Sequence, residues 1–224
     1  MQTIGGFQRS TLVDYPGKVA CTVFFNGCNF RCGFCHNPFL IFNSEEAITG
    51  EGVLSFLDTR KGLLDAVVLS GGEPCRSAEI ISFAKKIKEK GFLVKLDTNG
   101  YYPDILESML PYLDYVAMDI KGSLKNYKRI VGCELDIERI KRSAKMVNGE
   151  FRTTVVPGLF DVSQMREIGE WLKGSKKFCI QNFVSRDEHI DSKYKGLHGF
   201  TEKELEEFRV VASEYFEEVE IRNL

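Results

Sequence analysis

The sequence of 224 residues has no apolar stretch long enough to cross a membrane as a helix. It has no basic excess, since 30 Lys and Arg face 32 Asp and Glu for a formal net charge of −2. A nucleic-acid binder would usually be basic, so none is expected as a partner, and no membrane either. The opening run MQTIGGFQRSTLVDYPGK lacks the basic start and apolar core of a secretory signal. With an odd seven cysteines, the chain does not read as a disulfide framework, and a reducing cytoplasm is the expected location. No linker, internal repeat or low-complexity segment interrupts it, so 1–224 is expected to form one domain. There is no second C-x2-C pair of the kind that completes a familiar zinc site.

What is present is a globular composition, 43% hydrophobic and 28% charged. Apolar runs rich in Val, Ile, Phe and Thr occur at 19–27, 65–74, 92–100, 114–122, 151–158 and 177–183. They are nearly continuous rather than alternating, as expected of strands buried on both faces of a parallel sheet. Helical periodicity fills the gaps. Ile80, Ala84 and Ile87 share a face of 77–90, and Ile137, Ile140, Ala144 and Val147 a face of 136–148. Val162, Met165, Ile168 and Leu172 do so in 161–173, and Leu205, Phe208, Ala212 and Tyr215 in 202–216. Thr201 and Glu204 predict a capping box at the start of the last helix. Alternating β and α units predict a parallel α/β sheet. The segments 36–52 and 184–200 read as the longest irregular connections.

In such folds ligands gather at the carboxyl ends of the strands. The first strand leads into FFNGCNFRCGFCHNP, where Cys28, Cys32 and Cys35 are spaced C-x3-C-x2-C. Three thiolates leave one iron of a cubane [4Fe–4S] cluster open to a further ligand, since the cluster normally takes four cysteines. A zinc site, with His36 as fourth ligand, is the plain alternative, although a residue adjacent to Cys35 turns poorly onto the same ion. The second strand ends in Gly71, Gly72, Glu73 and Pro74, where glycines let a ligand approach the backbone. The third ends in Asp97, Thr98 and Asn99, which also reads as turn chemistry. After the fourth, Asp119 and Lys121 are two residues apart and point to one face, as a ligand site or a structural ion pair. Two Asp at neighbouring strand ends raise the question of a small cation. Of the scattered cysteines, Cys21 and Cys179 read as buried hydrophobes, and Cys75 beside GGEP as inert. His189 and His198 are expected to be exposed.

The cysteine run, followed by the glycine-rich SGGEP, resembles the signature of the radical SAM superfamily. STLVDYPGK, CHNP, LDTNG, MDIKG and VVPG, in that order, extend the resemblance over nearly the whole chain. Together they look like the glycyl-radical-enzyme activating proteins, closest to the activating protein of anaerobic ribonucleoside-triphosphate reductase. The resemblance implies an incomplete (β/α)6 barrel with parallel strands, 19–183 as its core and 184–224 as a C-terminal extension. It implies one [4Fe–4S] cluster on Cys28, Cys32 and Cys35, with S-adenosyl-L-methionine on the open iron. One electron enters the sulfonium and releases a 5′-deoxyadenosyl radical, which abstracts hydrogen from a glycine Cα of a partner protein. Phe34, Gly71, Gly72, Glu73, Asp97, Thr98, Asp119, Lys121 and Arg186 are the cofactor-binding residues it implies. No second cluster motif is present, so an outside electron donor such as flavodoxin or ferredoxin is expected. Pyruvate formate-lyase activating enzymes share CHN, LDTNG and the Asp-x-Lys motif and are the near alternative. A radical enzyme acting on a small molecule, or a metal-binding module without catalysis, are the remoter ones.

Overall fold

The computed structural model describes residues 3–42 and 45–223, which pack as two compact units. The first comprises Met1–Asn29 and Phe39–Val116, and the second Phe30–Pro38 and Ala117–Leu224. Residues 43 and 44, inside the 36–52 connection, lie outside the described residues, as do 1, 2 and 224.

The first unit carries strands β1 (Ile4–Thr11), β2 (Ala20–Phe25), β3 (Ala66–Gly71) and β4 (Leu93–Thr98), in that order across the sheet. β2, β3 and β4 run parallel, and β1 is antiparallel to β2. Ala20, Cys21, Thr22, Val23 and Phe25 are all buried, so β2 is covered on both faces as its sequence predicts. The helices here are α1 (Pro38–Phe42, whose Pro38 belongs to the second unit), α2 (Gly50–Asp58), α3 (Glu79–Glu89) and α4 (Pro103–Met109). On α3 the predicted stripe is buried: Ile80, Ala84 and Ile87, joined by Phe83. Burying each of Ile80, Phe83 and Ile87 contributes about 1.5–3 kcal/mol, and together they hold the helix in place.

Strand β5 (Tyr115–Asp119) begins in the first unit and continues into the second. There it pairs with β6 (Glu150–Val155), β7 (Lys177–Asn182) and β8 (Glu218–Arg222), all parallel and in that order. The connecting helices are α5 (Tyr127–Val131), α6 (Ile137–Ala144), α7 (Val162–Leu172) and α8 (Glu202–Ala212). The capping box is formed: Glu204 Oε2 accepts the Thr201 amide at 2.8 Å, and Thr201 Oγ1 accepts the Glu204 amide at 3.4 Å. Val162 departs from expectation, being exposed at the first residue of α7.

The six predicted strands are β2 to β7. Two more flank them. β1 was not expected because its middle, Gln8, Arg9 and Ser10, is exposed and polar, as befits an antiparallel edge. β8 reads EVEIR, whose charged residues hide the strand pattern, yet it pairs in parallel with β7 inside the segment read as an extension. Nor is 36–52 irregular throughout, since it holds α1 and the start of α2.

Candidate active site

The first unit supplies Cys28 and three strand ends. After β3 the chain turns sharply: Gly71 has φ 114°, a conformation closed to most L-residues. A Cβ on Gly72 would run into the carbonyl of Gly27, the residue before Cys28. The Glu73 amide donates to that same carbonyl at 2.9 Å, so the glycine turn and the start of the cysteine loop are tied backbone to backbone. Glu73 itself is wholly buried. Its Oε1 accepts from the Thr98 hydroxyl at 2.7 Å and the Cys75 amide at 2.9 Å, and its Oε2 from the Asn99 amide at 2.7 Å. Burial pushes the Glu73 carboxyl up, and the bonds from Asn99, Thr98 and Cys75 work against that rise. The side chain predicted to reach a ligand thus braces the end of β4 from inside.

Beyond Glu73, Asp97 accepts from Lys95 Nζ at 2.7 Å and from Ser70 Oγ at 3.1 Å. Lys95 is 2% exposed and Asp97 15%, so the pair is largely shielded from water. Thr98 and Asn99 are buried too, and Asn99 Nδ2 lies 3.8 Å from Cys28 Sγ. Cys75 is 1% exposed, with its sulfur 4.0 Å from that of Met109. Burial, and then the Glu73 carboxylate, push its thiol well above the ordinary value, in keeping with an inert role.

The second unit supplies Cys32, Phe34 and Cys35. Cys32 and Phe34 are buried, and the Phe34 ring meets Tyr194 edge-on at 6.2 Å. The 184–200 segment holds this part of the cysteine loop. The Asp191 amide donates to the Gly33 carbonyl at 2.9 Å, and His189 Nδ1 lies 3.1 Å from the Phe34 carbonyl. His189 Nε2 accepts the Arg186 amide at 3.1 Å, which leaves Nδ1 as the donor. His189 is therefore engaged rather than exposed as expected, while His198 is exposed. Arg186 is exposed, and its backbone, not its guanidinium, makes this contact.

At the end of β5, Asp119 sits between two cations. Arg152 Nε is 2.8 Å from Oδ1 and Lys121 Nζ 3.1 Å from Oδ2. Burial disfavours the charge on Asp119, but Arg152 and then Lys121 outweigh it and hold the carboxyl well below the usual range. Burial likewise opposes the charge on Lys121, and Asp119 and the nearby Cys32 outweigh it and raise its pKa. Asp119 thereby fixes the Lys121 ammonium at the end of β5, a group suited to an anionic ligand. Arg152 escaped the sequence reading because it lies inside β6, one strand over from Asp119 and in register with it.

All three loop cysteines are free thiols. In the first unit Cys28 follows a carbonyl that leaves no room for a Cβ on Gly72, and in the second Cys32 lies near the Lys121 ammonium; soft thiolates suit iron and sulfide, and the ammonium suits a carboxylate. Among the described residues no three His, Cys, Asp or Glu side chains converge as ligands of a single ion. In the described residues no helix is long and apolar enough to cross a membrane.

Residues 22–173 match the sequence model of the Radical SAM superfamily. The chain is 34% identical over 233 residues to a Methanocaldococcus jannaschii protein assigned by name to the glycyl-radical enzyme activating enzymes, covering 99% of this chain and 96% of that one. It is 37% identical over 140 residues to the pyruvate formate-lyase-activating enzyme of Clostridium pasteurianum, covering 59% and 58% of the two. Among solved structures, Streptococcus suis SuiB bound to S-adenosylmethionine superposes with a TM-score of 0.67 at 17% identity. That match covers 87% of this chain and 48% of SuiB, so the chain spans about half of SuiB's length and shares its fold. The protein is an α/β enzyme that belongs to the radical SAM superfamily, whose cofactors are a [4Fe–4S] cluster and S-adenosylmethionine.

Proposed function

We propose that the protein is a glycyl-radical-enzyme activase and that its partner is an anaerobic ribonucleotide reductase. The observation that carries the activase reading is the similarity to the Methanocaldococcus protein over 99% of this chain. CHNP and the N-terminal STLVDYPGK favour the reductase as partner. When bound, the cluster and S-adenosylmethionine supply a 5′-deoxyadenosyl radical able to take hydrogen from a glycine Cα of the partner. Cys28, Cys32 and Cys35 hold the cluster through three thiolates. Gly71 and Gly72 keep side chains away from the ligand, and Lys121 offers its ammonium to the methionine carboxylate. Asp119 and Arg152 fix that ammonium in place. Asp97 and Thr98 close the pocket at the end of β4, with Phe34 against the adenine side. Arg186 is exposed, and its guanidinium is the group it would offer to the ligand carboxylate. Glu73 acts on the pocket through the backbone it braces. The electron comes from an outside donor of the flavodoxin or ferredoxin class, in a reducing cytoplasm. The chain 1–224 acts as one catalytic domain.

The second reading, activation of pyruvate formate-lyase, is favoured by the 37% identity to the Clostridium enzyme. The test mixes the reduced, cluster-loaded protein and S-adenosylmethionine with each candidate partner under anaerobic conditions. A glycyl doublet in electron paramagnetic resonance with the reductase supports the proposal. A doublet with the lyase alone moves the assignment to the second reading, and no doublet with either removes both partner assignments.

A further inference from the structure

Asn99 closes a hydrogen-bond chain that no ligand contact explains. The residue is 5% exposed, and its side-chain orientation is set by its partners. Oδ1 accepts the Tyr101 amide at 3.0 Å. Nδ2 therefore carries the two N–H groups, and they meet Asn29 Oδ1 at 2.9 Å and Cys28 Sγ at 3.8 Å. The backbone is fixed as well, because the Asn99 amide donates to Glu73 Oε2 at 2.7 Å. The Cys28 thiol also lies 3.9 Å from Asn29 Oδ1, a contact in which the S–H is the donor. Once Cys28 is a thiolate that donor is gone and two electron-rich atoms face each other. The Asn99 amide then bridges them, with one N–H for each.

We infer that Asn99 is a positioning residue whose side-chain amide donates to the Cys28 thiolate and raises the reduction potential of the cluster. This rests on the reading of Cys28 as a cluster ligand. One-electron reduction by an external donor adds negative charge that spreads onto the thiolate sulfurs. A fixed N–H donor shielded from water stabilises the reduced form more than the oxidised one. Hydrogen bonds to the sulfurs are among the factors that set the potential of such clusters. Glu73 takes part indirectly, since it holds the Asn99 backbone and the Thr98 hydroxyl beside it.

The experiment is a redox titration of the reduced-cluster resonance in wild type, Asn99→Ala and Asn99→Asp, each first assayed for iron and sulfide. Loss of the donor is expected to lower the equilibrium constant for reduction about tenfold, which is 59 mV for one electron. Asn99→Asp keeps an acceptor for Tyr101 but turns an oxygen toward sulfur, so its shift is expected to be larger in the same direction. Unchanged potentials in a variant with full iron overturn the inference. Should both variants lose iron, the wild-type protein decides. With 15N placed only in asparagine side chains, pulsed resonance of its reduced cluster shows a 15N coupling that Asn29→Ser retains. Absence of that coupling overturns the inference. A wild-type protein that binds no cluster would instead remove the reading of Cys28 on which it rests.

Discussion

Replacing Arg152 with methionine keeps a long side chain but removes one of the two cations on Asp119. Arg152 is 11% exposed, Asp119 27% and Lys121 18%, so the trio is shielded without being sealed. Breaking a fully buried pair costs about 3–5 kcal/mol, and a hydrogen bond to a charged group is worth about 1.5–3. Here Lys121 still partners Asp119, and the carboxylate keeps some contact with water. The expected loss is therefore about 2 kcal/mol, or about 4–8 °C in the midpoint of thermal unfolding for a chain of this size. The pH dependence carries a sign. Asp119 has a depressed pKa in the folded state, so its stabilisation is present above its unfolded value of about 4 and is lost as pH falls below that. The gap between wild type and Arg152→Met should thus stay constant from about pH 7 to 5 and narrow under stronger acid. The assay is anaerobic thermal unfolding followed by circular dichroism across that range. Equal midpoints at neutral pH, or a gap that widens on acidification, would refute the reasoning.

Lys121→Ala should weaken S-adenosylmethionine binding about ten- to a hundred-fold by calorimetry, since a charge-assisted contact is worth about 1.5–3 kcal/mol, and should leave iron content unchanged. Gly72→Ala should displace the Gly27 carbonyl and lower iron content after reconstitution, because its Cβ has no room. Cys21→Ala and Cys179→Ala should leave iron content at the wild-type level, as both thiols are buried and pushed up to about 12. Cys75 should resist alkylation in the folded protein at neutral pH and react only on unfolding, a contrast read by mass spectrometry.

The buried parallel strands were legible because burial on both faces writes a continuous apolar run, as in VACTVFF. β1 and β8 were not, because an exposed or half-exposed strand has no such run to show. That the cysteine loop and the polar motifs follow strand ends was legible from where the apolar runs stop. What each side chain does was less so. Glu73 follows two glycines and reads as a ligand group, yet it is wholly buried and holds Thr98, Asn99 and Cys75. Arg152 lies in the middle of a strand, and only the register of β5 with β6 brings it to Asp119. His189, in a polar loop, shows no pattern that would tie it to the Phe34 carbonyl, because that contact spans 155 positions in sequence.

The most direct test of the account is 5′-deoxyadenosine release on anaerobic reduction with S-adenosylmethionine, measured alongside iron and sulfide content. The wild-type chain is predicted to hold four irons and to release the nucleoside. Cys28→Ala, Cys32→Ala and Cys35→Ala should each lose the broad cluster absorbance and the release together. A variant of any one of the three that keeps a full cluster and the wild-type rate would contradict it.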